Sequence, residues 1–201
     1  MHWVEFEGVR LPRRIAGHPA LDFCNTWAGW GDPPAPEREW LPDYDRLALW
    51  AGHAELLDMG DVTRLRRAAR RRADEADRVL VSARSLRDDL HSAAIDPGDA
   101  PALAGVSSFL RDAGRHSVLR PGPDGAPRWE IREDAGLALP VLAVARAAAE
   151  FLTGPDLPYV KACPGDDCGW LFVDRRGRRR WCIMSSCGNR AKVRAHAQRR
   201  R

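Results

Sequence analysis

Two pairs of cysteines constrain this chain more than any other feature of its sequence. Cys163 and Cys168 stand in KACPGDDCGW and Cys182 and Cys187 in RRWCIMSSCGNR, with four residues between the members of each pair. A tight turn with this spacing presents two sulfurs, and two such turns present four. Four thiolates close tetrahedrally around one zinc ion and leave it no open coordination position, so hydrolytic chemistry is not expected. Coincidental free cysteines, or two disulfides, are the alternatives. The start of the sequence, MHWVEFEGVRLPRRIAGHP, lacks the apolar stretch and cleavage site of a secretory signal, and no apolar run approaches the roughly 18 residues of a membrane span. The expected setting is the cytoplasm, without membrane contact, where thiols stay reduced and doubled spacing indicates a metal.

The segment around the cysteines has a legible order. CPGDDCG forms a knuckle, WLFV (170–173) a strand, and DRRGRR (174–179) a turn around Gly177. From Ser185 or Ser186, either a competent N-cap, a helix is expected to run through NRAKVRAHAQRR. Cys182 then precedes the helix and Cys187 lies in its first turn, where the backbone N–H groups favour a thiolate. Knuckle, hairpin and helix start make a treble-clef-like finger. So little apolar matter cannot fold by burial alone, and the metal must supply the folding energy. Val193 and Ala197 are assigned to the finger's small core, with Lys192, His196 and Arg199 on one outer stripe and Arg194 and Arg201 on another. Trp170 and Trp181 are expected to pack over the metal rather than stack on bases. Cys24, between Phe23 and Asn25, reads as a small buried hydrophobe and not as a fifth ligand.

Charge is segregated. Residues 161–201 carry 12 cations and three acids, while the other 160 residues carry 20 cations and 25 acids. Only Lys161 and Lys192 are lysines among 32 cations, an arginine excess that codon bias could produce; codon bias does not produce the segregation. A basic region set against an acidic remainder is the electrostatic footprint of a polyanion binder.

The acidic part reads as one mostly helical domain, 1–154, followed by the finger at 155–201, so the fold class is mainly α (α+β). WVEFEGVRL alternates as a short strand would. Asp43 can cap a helix with Tyr44, Leu47, Ala51, Ala54 and Leu57 on one face. A longer helix is predicted from Asp61 to Ala94 on the stripe Val62, Leu65, Ala69, Ala73, Ala76, Leu80, Ala83, Leu86 and Leu90. Its cluster RLRRAARRR (64–72) reads as a solvated face with acidic partners at hand. Residues 99–114 make a further helix, SVLRPGPDGAPRWEIR a β-hairpin, and 136–153 a helix with Pro140 near its start. GPDLP (154–158) punctuates the chain.

The motifs are now sufficient for a comparison. CGWLFVDRRGRRRWCIMSSCGNRAKVRAH closely resembles the CGNR zinc-finger family, whose name-giving tetrad here is Cys187-Gly188-Asn189-Arg190. HPALDFCNTW (18–27), with a helical body after it, resembles the ABATE domain that commonly precedes that finger. The resemblance implies a bacterial, stress-related transcriptional regulator with one zinc per chain, a DNA-binding finger, and an N-terminal domain that senses a small molecule or contacts a protein partner.

Candidate roles follow for particular residues. Arg178, Arg179, Arg180, Asn189, Arg190, Lys192, Arg194, His196 and Arg199 are candidate nucleic-acid contacts. Asn189 and Arg190 could equally brace the metal site. His18, Asp22, Asn25, Trp27 and Trp30 are candidates for a ligand pocket with aromatic walls. The competing expectation is that Asp22 and Asn25 bond backbone at a helix entry and that the tryptophans are core. The remaining histidines read as surface residues. No catalytic constellation is visible, and an enzyme is not expected. A zinc-stabilised adaptor or RNA-binding protein remains the alternative.

Overall fold

The computed structural model describes residues 2–30, 35–122 and 124–199. The chain opens with a hairpin, β1 (Trp3–Phe6) against β2 (Val9–Pro12), and not with the single strand expected. The turn is Glu7-Gly8, with φ of 49° and 73°. Two successive positive φ values are what a two-residue hairpin turn requires, and glycine supplies the second without strain.

The body is helical: α1 (Pro19–Cys24), α2 (Tyr44–His53), α3 (Met59–Arg71), α4 (Ala73–Ile95), α5 (Ala100–His116) and α6 (Leu139–Leu152). Asp43 caps α2 by accepting from the Arg46 N–H at 2.8 Å, as its sequence predicts. The long helix predicted from Asp61 to Ala94 is two helices, broken at Arg72 (φ −135°, ψ 55°). A straight helix of that span would run about 51 Å at 1.5 Å per residue. The break lets Val62, Leu65 and Ala69 of α3 and Leu80, Ala83, Leu86 and Leu90 of α4 enter one core, whereas Ala73, assigned to the same stripe, is exposed at the break. The arginine cluster on α3 is solvated and partly paired, Arg66 with Asp45 and Arg64 with Asp61.

A second hairpin, β3 (Ser117–Pro121) with β4 (Pro127–Ile131), leads into α6. Within the stretch Glu133–Leu152 an 18-residue window has a mean hydropathy of 1.6, and by length and composition the stretch could cross a membrane, which corrects the expectation that no run comes near this. Here it is a core helix. Leu139, Val141, Val144, Ala145, Ala148 and Phe151 are buried against α1, α4 and α5.

The finger follows: β5 (Val160–Ala162) pairs with β6 (Leu171–Val173), and a wide helical turn at Met184–Gly188 runs into α7 (Asn189–Gln198). It is not a bead on a string, because Leu171 belongs to the main core, with Val160 and Val173 packed beside it. A two-stranded sheet is at best marginal alone in water, and β5–β6 gains its stability from the helical body, β6 lying on α1 and β5 against α4.

Candidate metal centre

The four cysteines of the doubled spacing converge, buried and reduced. Cys168 Sγ lies 3.6 Å from Cys182 Sγ, which lies 3.5 Å from Cys187 Sγ. Gly165, inside the first knuckle, faces Cys187 Sγ and Cys163 Sγ so closely that a Cβ there would stand 3.1 and 3.5 Å from them. A side chain here would press on the sulfurs as the knuckle closes on them. Thiolates at about 2.3 Å from a tetrahedral zinc stand about 3.8 Å from one another. The sulfurs stand close to that separation, so the donor set fits the ion. Crowding also divides the thiols. Cys163 is pulled down to about 6, chiefly by donation from the Cys168 thiol, and Cys187 is lowered by donation from the other three cysteines, Cys163 most, and from His2. Cys168 and Cys182 are raised, most of all by Cys163.

Around the sulfurs, Trp170 and Phe172 are buried, and Trp181 and Ile183 pack beside them together with Ile15 and Ala28 from the first part of the chain. Trp170 donates Nε1–H to the Trp27 carbonyl at 2.9 Å, which leaves its ring as wall rather than stacking platform. Arg190 Nη2 donates to Cys187 Sγ at 3.2 Å, so this member of the CGNR tetrad braces the cluster and offsets thiolate charge. Asn189 stays on the surface, where Nδ2 reaches the Ser185 carbonyl at 3.4 Å.

The candidate polyanion contacts separate into two groups. Arg179 turns inward: its Nη2 donates to the carbonyls of Ile15 (2.9 Å) and Cys182 (2.6 Å), its guanidinium stacks 4.3 Å from the Phe172 ring centroid, and burial lowers its pKa. Arg194 pairs with Asp166. Arg178, Arg180, Lys192, His196 and Arg199 are exposed; Arg201 lies outside the described residues. Val193 is 69% exposed and Ala197 is exposed too, so α7 has no core face, contrary to the expectation for those two residues. The finger's small core is filled instead by Trp170, Phe172 and the cysteines.

The segment HPALDFCNTW holds the finger in place. Asp22 Oδ1 accepts from Ile15 N (2.8 Å) and Ala16 N (2.9 Å), and the Ala16 carbonyl accepts from Val173 N at 2.8 Å. Asn25 is fully buried and pairs both ways with one finger residue: Nδ2 donates to the Leu171 carbonyl at 2.9 Å, and Leu171 N–H donates to Oδ1 at 2.7 Å. Gly29 N donates to the Cys168 carbonyl at 2.8 Å. Behind this, Arg87 grips Glu39 with two bonds of 2.7 Å and reaches Thr26 Oγ1 at 3.1 Å, fixing the loop. His18 caps α1 by accepting from Ala20 N, and Trp30 stacks on His91 at 3.7 Å between centroids. His91 is half-buried, and desolvation lowers it to about 4, so it is not the surface histidine expected.

Two concave surfaces lie elsewhere. A cleft of about 720 Å³ is bordered by Glu55, Asp58, Trp129, Glu133, Arg146 and Glu150 among others, and one of about 650 Å³ by Gly17, Asp156, Arg175, Arg176, Arg178 and Arg179 among others. Neither is lined by His18, Asp22, Asn25, Trp27 or Trp30.

One residue at the centre escapes sequence reasoning. His2 Nε2 lies 3.4 Å from Cys187 Sγ and 3.6 Å from Cys182 Sγ. It stands 180 residues from Cys182 in the chain, and nothing in local spacing announces it.

Comparison with known proteins agrees with this geometry. No curated protein matches the chain. A family model described as "CGNR zinc finger" matches residues 159–200, and the ABATE model, described as "Putative stress-induced transcription regulator", matches residues 17–155. The chain is a zinc-binding protein of the ABATE family, carrying a CGNR zinc finger behind its ABATE domain.

Proposed function

We propose that the protein is a DNA-binding transcriptional regulator that presents α7 to duplex DNA, with zinc held by Cys163, Cys168, Cys182 and Cys187 fixing the base of that helix. The observation that carries this reading is that α7 has no buried residue yet stays helical from Asn189 to Gln198. A helix polar on all sides has no internal reason to persist unless it is anchored at one end or docked on a partner. The anchor is Cys187 and Arg190 at the metal. The partner side offers Lys192, His196 and Arg199, with the exposed Arg178 and Arg180 nearby in sequence.

The ABATE part then acts as the mount. Asn25, Asp22 and Arg179 fix the knuckle and β6 to the helical body, so anything that shifts α1 shifts the finger with it. Mixed-sequence duplex binding by the full chain tests the reading. Reversing Lys192 and Arg199 together to glutamate should weaken binding roughly a hundredfold at low salt while zinc content stays unchanged. Duplex affinity that survives the reversal overturns it. Tighter binding to single-stranded RNA than to duplex supports the RNA-binding alternative instead.

A further inference from the structure

Five donors surround a centre that zinc fills with four. The fifth, His2, is built in on every side. Its Nδ1 shares a 2.9 Å hydrogen bond with Ser186 Oγ, its ring stands edge-on to Trp170 at 4.8 Å, and its carbonyl accepts from Arg13 N at 2.9 Å. An imidazole held through one nitrogen, with the other aimed at the ligand cluster, is the arrangement of metal-bound histidines. Ligand distances of 2.0–2.1 Å for nitrogen and 2.3 Å for sulfur place the two atoms about 3.5 Å apart across a tetrahedral zinc. Nε2 lies 3.4 and 3.6 Å from Cys187 and Cys182, and the ligand atoms of His2, Cys168, Cys182 and Cys187 all fall within 4.8 Å of one another.

We propose that His2 is a reserve ligand of the zinc centre: Cys168, Cys182 and Cys187 hold the ion throughout, and the fourth position is taken by Cys163 or by His2. The proposal rests on the zinc-finger reading. Because His2 directly precedes β1, occupancy by the imidazole ties the first hairpin to the finger. Removal of the Cys163 sulfur by substitution then changes the donor set without emptying the site.

The test is metal content and cobalt spectroscopy on the full chain. Cys163→Ser should retain about one zinc, and its cobalt derivative should show the blue-shifted d–d bands of three sulfurs and one nitrogen. His2→Ala should also retain the metal, with a four-sulfur spectrum. The double variant has three donors and should lose it, a non-additive result. Cys182→Ser, with no substitute at hand, is the comparison. A Cys163→Ser protein as metal-free as Cys182→Ser overturns the reserve role, and so does a double variant that keeps as much metal as Cys163→Ser. Should Cys163→Ser fail to fold, zinc transfer to a chelator decides: His2→Ala should release the ion about tenfold faster than the unmutated chain, and an unchanged rate overturns the proposal. An unmutated chain without zinc would instead sink the finger reading itself.

Discussion

The two halves of the finger are built by opposite rules. The first, from the knuckle through β6, is tied to the helical body by hydrogen bonds: the Leu171 backbone to Asn25, the Trp170 indole to the Trp27 carbonyl, Val173 N to the Ala16 carbonyl. The second, α7, buries nothing. Between them sits the metal centre, sharing its sulfurs with both. One half is therefore stabilised by burial against the helical body, and the other by attachment to the centre. Expectation from sequence was that zinc alone folds the finger; the docked half shows that the neighbouring domain shares this task.

The largest effect should come from breaking the centre itself. Cys182→Ser should reduce zinc to below about a tenth of an equivalent, since metal binding contributes on the order of 10 kcal/mol in isolated zinc-finger peptides. Elemental analysis reads the metal, and circular dichroism should show α2 to α6 retained, because their core lies away from the sulfurs. Collapse of the whole helical signal would mean the two halves are not separable. Next is Asn25→Ala, which leaves the buried N–H and C=O of Leu171 without partners and should cost about 2–5 kcal/mol. Asn189→Ala, on the exposed half, should stay within about 0.5 kcal/mol in the same urea titration. Equal costs would break the comparison.

Asp22 sharpens the docked half through pH. Burial pushes its carboxyl up to about 6, against the opposing pull of the Ala16 and Ile15 N–H groups and of Arg14 and Arg179. The folded chain therefore keeps this proton at pH values where the unfolded chain releases it near 3.8. Asp22 then contributes stability that is fully present below about pH 4 and declines as pH rises to about 6, by on the order of 2–3 kcal/mol in total. Asp22→Asn keeps the accepting oxygen and has no proton to lose. Urea unfolding of the two proteins in parallel should show the Asn variant gaining on the parent as pH climbs from 4 to 6, and level above that. A gap independent of pH would mean the carboxylate is already ionised when folded.

What was legible in the sequence is what short-range chemistry writes. The doubled cysteine spacing, the Asp43 cap and the turn between β3 and β4 each need only a few neighbouring residues. Contacts across the chain were hidden. Asn25 meets Leu171 across 146 residues, so a ligand site and a backbone clamp looked alike in HPALDFCNTW. His2 reaches the sulfurs from still farther. Arg72 breaks a continuous apolar stripe for a reason that exists only once α3 and α4 share a core. Val193 reads as core only for a finger that folds alone. With the helical body filling that role, Val193 is left on the surface.

The smallest effect concerns the bare half, and it separates cations that are available from cations that are merely present. Lys161 is paired with Asp174, Arg175 with Asp156 and Arg194 with Asp166, while Arg179 and Arg190 are turned onto backbone and thiolate. Among the described residues this leaves Arg176, Arg178, Arg180, Lys192 and Arg199 of the basic region without an ion pair. Each phosphate contact contributes a slope of about −0.9 in log K against log salt, so full engagement of these residues gives about −4 to −5 on duplex DNA. Lys192→Ala and Arg199→Ala should each flatten the slope by about one, and weaken all sequences alike. Arg175→Ala should leave it nearly unchanged, since that guanidinium is held by Asp156 on the docked half. Arg179→Ala should lower stability and leave the slope alone. If Arg175→Ala flattens the slope as much as Lys192→Ala does, the ion pairs on the docked half open on binding. The boundary between mount and working surface would then lie inside the finger's first half rather than at the metal.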